Sequence, residues 1–335
     1  MKIQRISGVN KLIILSEQKS YIKKGASAPQ IDGQEKAFLQ YGKADVEIVY
    51  KSRLYKNISR FTNIQLYESF VKKKRDDAVY IYIAVSLVFL KENAYLLKEL
   101  KKHGNKVSIY CYDVWEPEFD DWEKLFKEID PDYIFFGFKQ SYEYYDKLGY
   151  KSYWVPLSAD LEIFKPYGME KSRLFIQMGR LNDDLHHKIL DYLSKHNIED
   201  NRDNYVYRKS KTERIYPDIY ELAKQINKSK YFVCVPKYYE NKKRTGSVNE
   251  TICRFYEGMG CKTMLIGMKS DTFDELFPYK AMISFNDGED FEKEIDYYES
   301  HPEEYDEIVN KNYDYLMKHH TWGNRLEMIM KIINE

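Results

Sequence analysis

Cysteine is scarce in this chain: four residues in 335, Cys111, Cys234, Cys253 and Cys261, with no C-x-x-C pair among them. That spacing argues against a zinc module and against a disulfide framework. Cys111 and Cys234 sit inside apolar, strand-like runs, and free thiols fit a reducing cytoplasm. A charge surplus is also missing, since 53 Lys+Arg balance 53 Asp+Glu. A general nucleic-acid binder needs excess cations to displace counterions, so a nucleic-acid partner is not expected. There is no long apolar run. The longest, Ile81–Leu90, falls well short of the ~20 residues that cross a bilayer. Leu12–Leu15 is too short for the core of a signal peptide. A cytoplasmic protein without a transmembrane segment is expected, with peripheral membrane contact left open. Internal repeats at solenoid periods are absent.

What the chain does have is length and alternation. With 335 residues and 43% apolar content it can bury two ordinary cores. Its 32 tyrosines are interspersed with Lys, Asp and Asn; the bias of an AT-rich genome explains them more simply than a sugar-binding surface does. In the first half, strands are predicted at Lys11–Ser16, Val46–Tyr50, Val79–Val85, Val107–Tyr112, Tyr133–Phe136 and Ser152–Pro156. Helices are predicted at Ile31–Tyr41, Asn93–His103, Asp121–Ile129 and Ser141–Leu148, with Gly104 and Gly149 as stops. A second series follows. Its predicted strands are Arg173–Met178, Asn204–Tyr207, Tyr231–Val235, Thr263–Ile266 and Ala281–Phe285. Its predicted helices are Leu185–His196, Pro217–Lys228, Glu289–Tyr298, Pro302–His319 and Trp322–Ile333. Strands separated by helices imply an α/β fold, with parallel sheets covered on both faces.

The stretch 249–267, NETICRFYEGMGCKTMLIG, is the most informative. It reads as a polar helix start, a short helix carrying Arg254 and Glu257, an exit at Gly258 and Gly260, and a buried strand. A carboxylate pinned beside a loop of small residues suits a nucleotide: the acid for a ribose diol, the loop and helix start for a diphosphate. The segment resembles the donor-binding motif of nucleotide-sugar glycosyltransferases of the GT-B type. The closest match is the family 4 and spore-maturation (CgeB-like) branch, where R-x-x-E precedes a small-residue turn and a strand. Pro156-Leu-Ser-Ala-Asp160 with Phe164-Lys-Pro166 resembles that family's linker. The stretch from Asp274 to Ile333, with His320-Thr321-Trp322 ahead of Arg325, resembles its C-terminal layout. The resemblance covers nearly the whole chain, closely after residue 150 and loosely before it. It implies two Rossmann-like domains facing across a cleft: an acceptor domain over 1–160, a donor domain over 161–320, and a terminal helix, 321–335, crossing back to the first.

The resemblance also implies site residues. Glu257 would accept hydrogen bonds from both ribose hydroxyls; read from the helix alone, it is an acid satisfied by Arg254 three residues earlier. Many family members carry E-x7-E. Here the first acid, Glu250, stands one residue late, and the matching position is Asn249. Either Glu250 lies near the sugar, or Asn249 is a helix N-cap with Glu250 in the first turn. Gly246 and Ser247, after Lys242, Lys243, Arg244 and Thr245, read as a turn at a helix N-terminus that offers N–H groups to an anion, or as a solvated charged loop. Gly179-Arg180 follows a strand, and family members use G-R there, with a cation on the next helix, to neutralise the departing diphosphate. Arg180 and Lys188 occupy those places, with His186 or His187 as substitutes for Lys188. In the first domain, Gly25 lies in a small-residue loop resembling the one that approaches donor phosphate or acceptor. Asp113, at a strand end, either orients the acceptor hydroxyl or caps the next helix. The histidine that many members place at a first-domain strand end is not found.

Resemblance to family 4 implies transfer with retention, in which the donor's own phosphate oxygen takes the acceptor proton. It implies no metal and no cofactor beyond the nucleotide-sugar donor, in keeping with the lack of a D-x-D motif at Asp120-Asp121 or Asp183-Asp184. The expected activity is that of a glycosyltransferase (hexosyltransferase type) in glycan or glycoconjugate biosynthesis, with a glycan, lipid-linked or protein acceptor. Two other readings stand beside it: a nucleotide-sugar epimerase of the same fold, and a catalytically degenerate homologue that serves as a binding partner.

Overall fold

The computed structural model describes residues 11–16, 28–42, 45–48 and 74–335, except 180, 210–212, 214, 217 and 289. The chain divides into two compact units, Met1–Pro156 with Trp322–Glu335, and Leu157–Thr321.

The first unit is built on six parallel strands: β1 (Lys11–Ser16), β2 (Asp45–Ile48), β3 (Ala78–Ala84), β4 (Lys106–Cys111), β5 (Tyr133–Phe136) and β6 (Ser152–Trp154). They lie in the order β2-β1-β3-β4-β5-β6. Every residue of β3 is buried, as a central parallel strand with both faces covered requires. The covering helices are α1 (Ala28–Gly42), α2 (Leu87–Lys102), α3 (Phe119–Ile129) and α4 (Lys139–Lys147). The second of these starts at Leu87 rather than at the expected Asn93. The apolar run Ile81–Leu90 is two elements: the strand ends at Ala84, and Leu87, Leu90, Ala94, Leu97 and Leu100 then form one buried helical stripe. The terminal helix, Trp322–Asn334, packs on α1, and its Trp322 ring lies 6.1 Å from both Tyr110 and Tyr112.

The second unit is built on five parallel strands: β7 (Arg173–Gln177), β8 (Tyr205–Val206), β9 (Ser229–Cys234), β10 (Met264–Gly267) and β11 (Met282–Ser284), in the order β11-β10-β9-β7-β8. Its helices in chain order are α5 (Asp183–Lys195), α6 (Ile219–Lys228), the short α7 (Lys237–Glu240) and α8 (Lys242–Thr245), α9 (Cys253–Gly260), the short α10 (Phe273–Leu276), α11 (Phe291–Ser300) and α12 (Pro302–His319). Phe175, Ile189, Tyr231, Val233, Ile266 and Ile283 belong to one core cluster.

Strand order locates the ligand crevice. From β7 the chain crosses to β8 on one side, then returns past β7 to β9 on the other. The crossovers therefore diverge at the β7/β9 boundary. In open α/β sheets a crevice opens at such a switch point, beyond the carboxyl ends of the strands. In the first unit the corresponding boundary lies between β1 and β3.

Candidate functional site

Gln177 and Val233 are paired at the β7/β9 boundary, and the chain leaves β7 through Met178 and Gly179. Gly179 has φ +97°, and a Cβ there would lie 2.7 Å from Cζ and 2.9 Å from Nη1 of Arg254. The guanidinium of Arg254 thus rests directly on the Gly179 backbone. The dihedral requires glycine, and a Cβ would also displace the guanidinium from its seat. The structure brings two of the candidate residues, Gly179 and Arg254, into contact across 75 positions of sequence.

Arg254 is carried by α9, and every other residue of that helix except Arg254 is buried. The glycines explain how the helix sits so close to the sheet and to the 161–164 turn. A Cβ on Gly258 would meet Leu265 Cδ2 at 2.5 Å and Phe232 Cδ1 at 2.7 Å, and one on Gly260 would meet Leu161 Cδ2 at 2.9 Å. This corrects the expected exit at Gly258 and Gly260. Both lie within the helix and serve packing, and the left-handed residue after it is Lys262, φ 50°.

Glu257, one turn after Arg254, is 7% exposed. Its charge is felt at Cys234, the last residue of β9. Burial pushes the Cys234 thiol up, Arg254 pulls it back down, and Glu257 adds to the rise. Burial first, and Glu257 likewise, push up the Cys261 thiol, at the far end of α9. Arg254 itself has no ion-pair or side-chain hydrogen-bond partner among the described residues.

The loop ahead of α9 differs from expectation. Its N-cap is Ile252, in an extended conformation, and the helix has no acid in its first turn. Asn249 is therefore not the cap, nor Glu250 a first-turn acid. Asn249 donates to Asp271 Oδ1 (2.7 Å), and its carbonyl accepts from the Asp271 amide (3.1 Å). Glu250 is 3% exposed and accepts from the Thr272 hydroxyl at 2.9 Å. Thr251 joins Ser270 at 2.6 Å and Thr272 at 3.1 Å. These partners stand about twenty residues downstream, and no local signal points to them. Tertiary bonding to the β10 exit holds this loop extended, so the helix begins at Cys253.

Gly246 and Ser247 also change role. Asn241 caps α8 by accepting from the Arg244 amide, and Gly246, φ 63°, terminates that helix. Gly246 is thus a C-terminal stop, and residues 247–252 separate it from α9. Lys242, Lys243 and Arg244 are exposed, with the Lys242 ammonium 4.9 Å from the Tyr238 ring centroid.

Lys188 is exposed on α5, its ammonium 5.0 Å from the Phe285 ring centroid. No described contact joins it to Gly179 or Arg254. Arg180 and Gly25 lie outside the described residues. His186 meets Tyr205 through Nδ1, 3.1 Å from the hydroxyl, and its pKa is pushed down by burial first and by His187 second. Burial therefore works against His186 as the cation that the resemblance implies.

In the first unit, Asp113 follows β4, is half-buried, and its amide donates to the Val85 carbonyl, just past β3, at 3.3 Å. It does not cap the next helical turn, Glu116–Glu118, whose N-cap is Trp115. Sequence reasoning passed over a second polar group at the same end. Ser16 Oγ donates to Glu35 Oε2 and Tyr112 Oη to Gln34 Oε1, both at 2.6 Å, and all but Tyr112 are fully buried. Two polar residues inside the apolar face Ile31–Phe38 were the available signal. Elsewhere, His196, Glu292 and Asp296 offer ligand atoms within 4.8 Å of one another. These sit at the other end of α5, with Glu292 paired to Lys195 and Asp296 bonded by Tyr192.

Residues 177–331 match the model of a family described as glycosyl transferase-like. No curated protein sequence matches the chain significantly. Among solved structures, accessory secretory proteins 1, 2 and 3 of Streptococcus pneumoniae show a TM-score of 0.51 at 14% identity over 77% of this chain. The match takes in 53% of that chain, so this protein spans about half its length. Anabaena Alr3699/HepE in complex with UDP-glucose gives a TM-score of 0.43 at 10% identity, covering 97% of this chain and 95% of that one. The GtfA/B complex gives 0.43 at 9%, covering 77% and 57%. Sheet order, switch point and the first of these likenesses define an α/β protein of two Rossmann-like units, the GT-B fold. No helix among the described residues is long and apolar enough to cross a membrane.

Proposed function

We propose that this protein transfers a sugar from a nucleotide-sugar donor to a hydroxyl acceptor, and that the donor binds beyond the carboxyl ends of β7 and β9. The observation that carries the reading is the guanidinium of Arg254 seated on Gly179 at that boundary, with Glu257 one turn further along the same helix. Glu257 accepts from the ribose hydroxyls. Hydrogen bonds to a charged group contribute roughly 1.5–3 kcal/mol each. Arg254 meets the diphosphate. As the glycosidic bond breaks, negative charge grows on the leaving phosphate, and a cation already in place stabilises it without reorganisation.

Transfer with retention and without a metal ion belongs to the same proposal. The donor phosphate takes the acceptor proton, so no protein nucleophile is required. Asp113 is the proposed acceptor-orienting carboxylate. So are the family 4, CgeB-like subtype, a part in glycan or glycoconjugate biosynthesis, and a cytoplasmic location.

The test is Glu257→Ala, assayed by calorimetry against a panel of nucleotide sugars and by turnover with and without acceptor. Two lost charged hydrogen bonds predict a fall in donor affinity of roughly a hundredfold or more, with the fold kept. Unchanged affinity would remove the ribose role. Donor consumption that ignores the acceptor would favour epimerisation.

A further inference from the structure

The first turn of α5 holds a histidine that the proposed transfer leaves unused. His186 Nδ1 lies 3.1 Å from the Tyr205 hydroxyl, and that hydroxyl donates to Gln177 Oε1 at 2.8 Å. Gln177 is the last residue of β7 and stands two positions before Gly179. Tyr205 opens β8, the neighbour of β7. The relay therefore lies at the base of the turn on which Arg254 rests. A phenol carries one proton. With that proton given to Gln177, the Tyr205 oxygen accepts from the imidazole, so Nδ1 bears the hydrogen and Nε2 keeps a lone pair. Nε2 has no partner among the described residues. Beside it stands Tyr207, half-buried, its ring centroid 4.5 Å from that of His186.

We propose that His186 is a specificity-determining residue of the donor site: its Nε2 accepts a hydrogen bond from an N–H group of the donor's nucleobase, with Tyr207 as the adjoining apolar face. The inference rests on the nucleotide reading of these strand ends. It also accounts for a histidine locked as an acceptor beside a site for an anion. A lone pair has the wrong polarity for a phosphate oxygen, but the right one for a base edge. Gly179 and Arg254 hold the phosphate end of the crevice, and the β8 side is left for the base.

The experiment has two arms. Nitrogen-15 NMR of the free protein reads the His186 tautomer, and the Nδ1–H form is expected near neutral pH. An Nε2–H tautomer overturns the proposal whatever binds. In the second arm, UDP, CDP, ADP and GDP are titrated into the wild type, His186→Phe, His186→Gln and Tyr205→Phe, with circular dichroism as a check on folding. Loss of one neutral hydrogen bond predicts a roughly three- to tenfold weaker Kd in His186→Phe for the preferred nucleotide, and a flatter preference across the panel. Gln places an amide oxygen near the Nε2 position and should bind within about twofold of wild type. Tyr205→Phe should fall between the two. Wild-type affinity in His186→Phe overturns this inference and leaves the nucleotide reading intact. Absence of binding in the wild type removes both. If His186→Phe does not fold, the Gln and Tyr205 variants and the tautomer decide.

Discussion

The two ends of the second sheet use their cations in opposite ways. At the amino ends, Arg173 donates through Nε to the Arg202 carbonyl (2.9 Å) and through Nη1 to Gln225 Oε1 (2.8 Å). Lys171 donates to the Ser229 carbonyl (3.0 Å) and to Thr263 Oγ1 (2.8 Å). Both cations satisfy groups that would stay bare where strands begin. At the carboxyl ends, Arg254 lies on a glycine with no acceptor among the described residues, and His186 keeps a lone pair. A polar group withdrawn from water without a partner costs roughly 1–3 kcal/mol. Bonds completed within the chain serve stability; in the proposed function the groups left open serve a ligand. The contrast separates structural residues from proposed binding residues without appeal to their chemical type, since both ends use arginine.

The largest expected effect comes from exchanging the roles of the two arginines. Arg173→Ala strands the Arg202 carbonyl and Gln225, and should destabilise the protein by about 2–3 kcal/mol in urea melts, with nucleoside-diphosphate affinity unchanged. Arg254→Ala should do the reverse: within about 0.5 kcal/mol of wild-type stability, but at least roughly tenfold weaker in Kd. Equal destabilisation by the two substitutions would erase the comparison.

A smaller effect isolates the seat of Arg254. Gly179→Ala forces a side chain into φ +97° and into the guanidinium. The expected cost is about 1–2 kcal/mol of stability, with weaker diphosphate binding. Combined with Arg254→Ala, it should add nothing further to the binding loss, because both act through one contact. Additive losses would mean that Gly179 meets the ligand independently.

A pH dependence sharpens the amino end. Burial lowers the Lys171 pKa from 10.5 to about 7. A basic group whose folded pKa lies below its unfolded value binds fewer protons in the folded state. Stability should therefore rise with pH between about 7 and 10.5, by at most about 1.4 kcal/mol per pH unit from this group. Below pH 7 both states hold the proton and the slope vanishes. Lys171→Met should remove that rise, as read by denaturant melts across the range. An identical slope in the variant would remove the assignment.

Some of this was legible in the residues. Tyr133–Phe136 and Pro302–His319 are the elements their local signals describe. One is a short apolar run between turns; the other is opened by a proline at its first position. Other strands begin or end within one or two residues of expectation, because a strand buried on both faces writes itself as a continuous apolar run. The start of α9 was not legible. Asn249, Glu250 and Thr251 carry the chemistry of a helix cap, but they bond to Asp271, Thr272 and Ser270 instead. Capping propensity is a local preference, and a tertiary partner outbid it. The Gly246-Ser247 turn failed for a related reason: Asn241 folds the basic run into its own short helix, so the glycine ends one helix rather than opening the next. Glycines 258 and 260 read as a turn because small residues usually are one, and a helix pressed against two strands on one side and the 161–164 turn on another needs the same residues.

The sequence by itself determined the alternation of strand and helix, and with it two parallel sheets, since hydrophobic period and turn residues act over a few positions. It also singled out the R-x-x-E pair, whose spacing is local to one helix turn. Only the tertiary structure decided which partners those residues have. That Arg254 rests on Gly179, that the Arg254 carbonyl accepts from the Cys234 thiol, and that Tyr205 meets His186 through Nδ1 are contacts between segments far apart in the chain. Their geometry follows from the order in which strands join the sheet, and that order is set by packing the whole core rather than by any one segment.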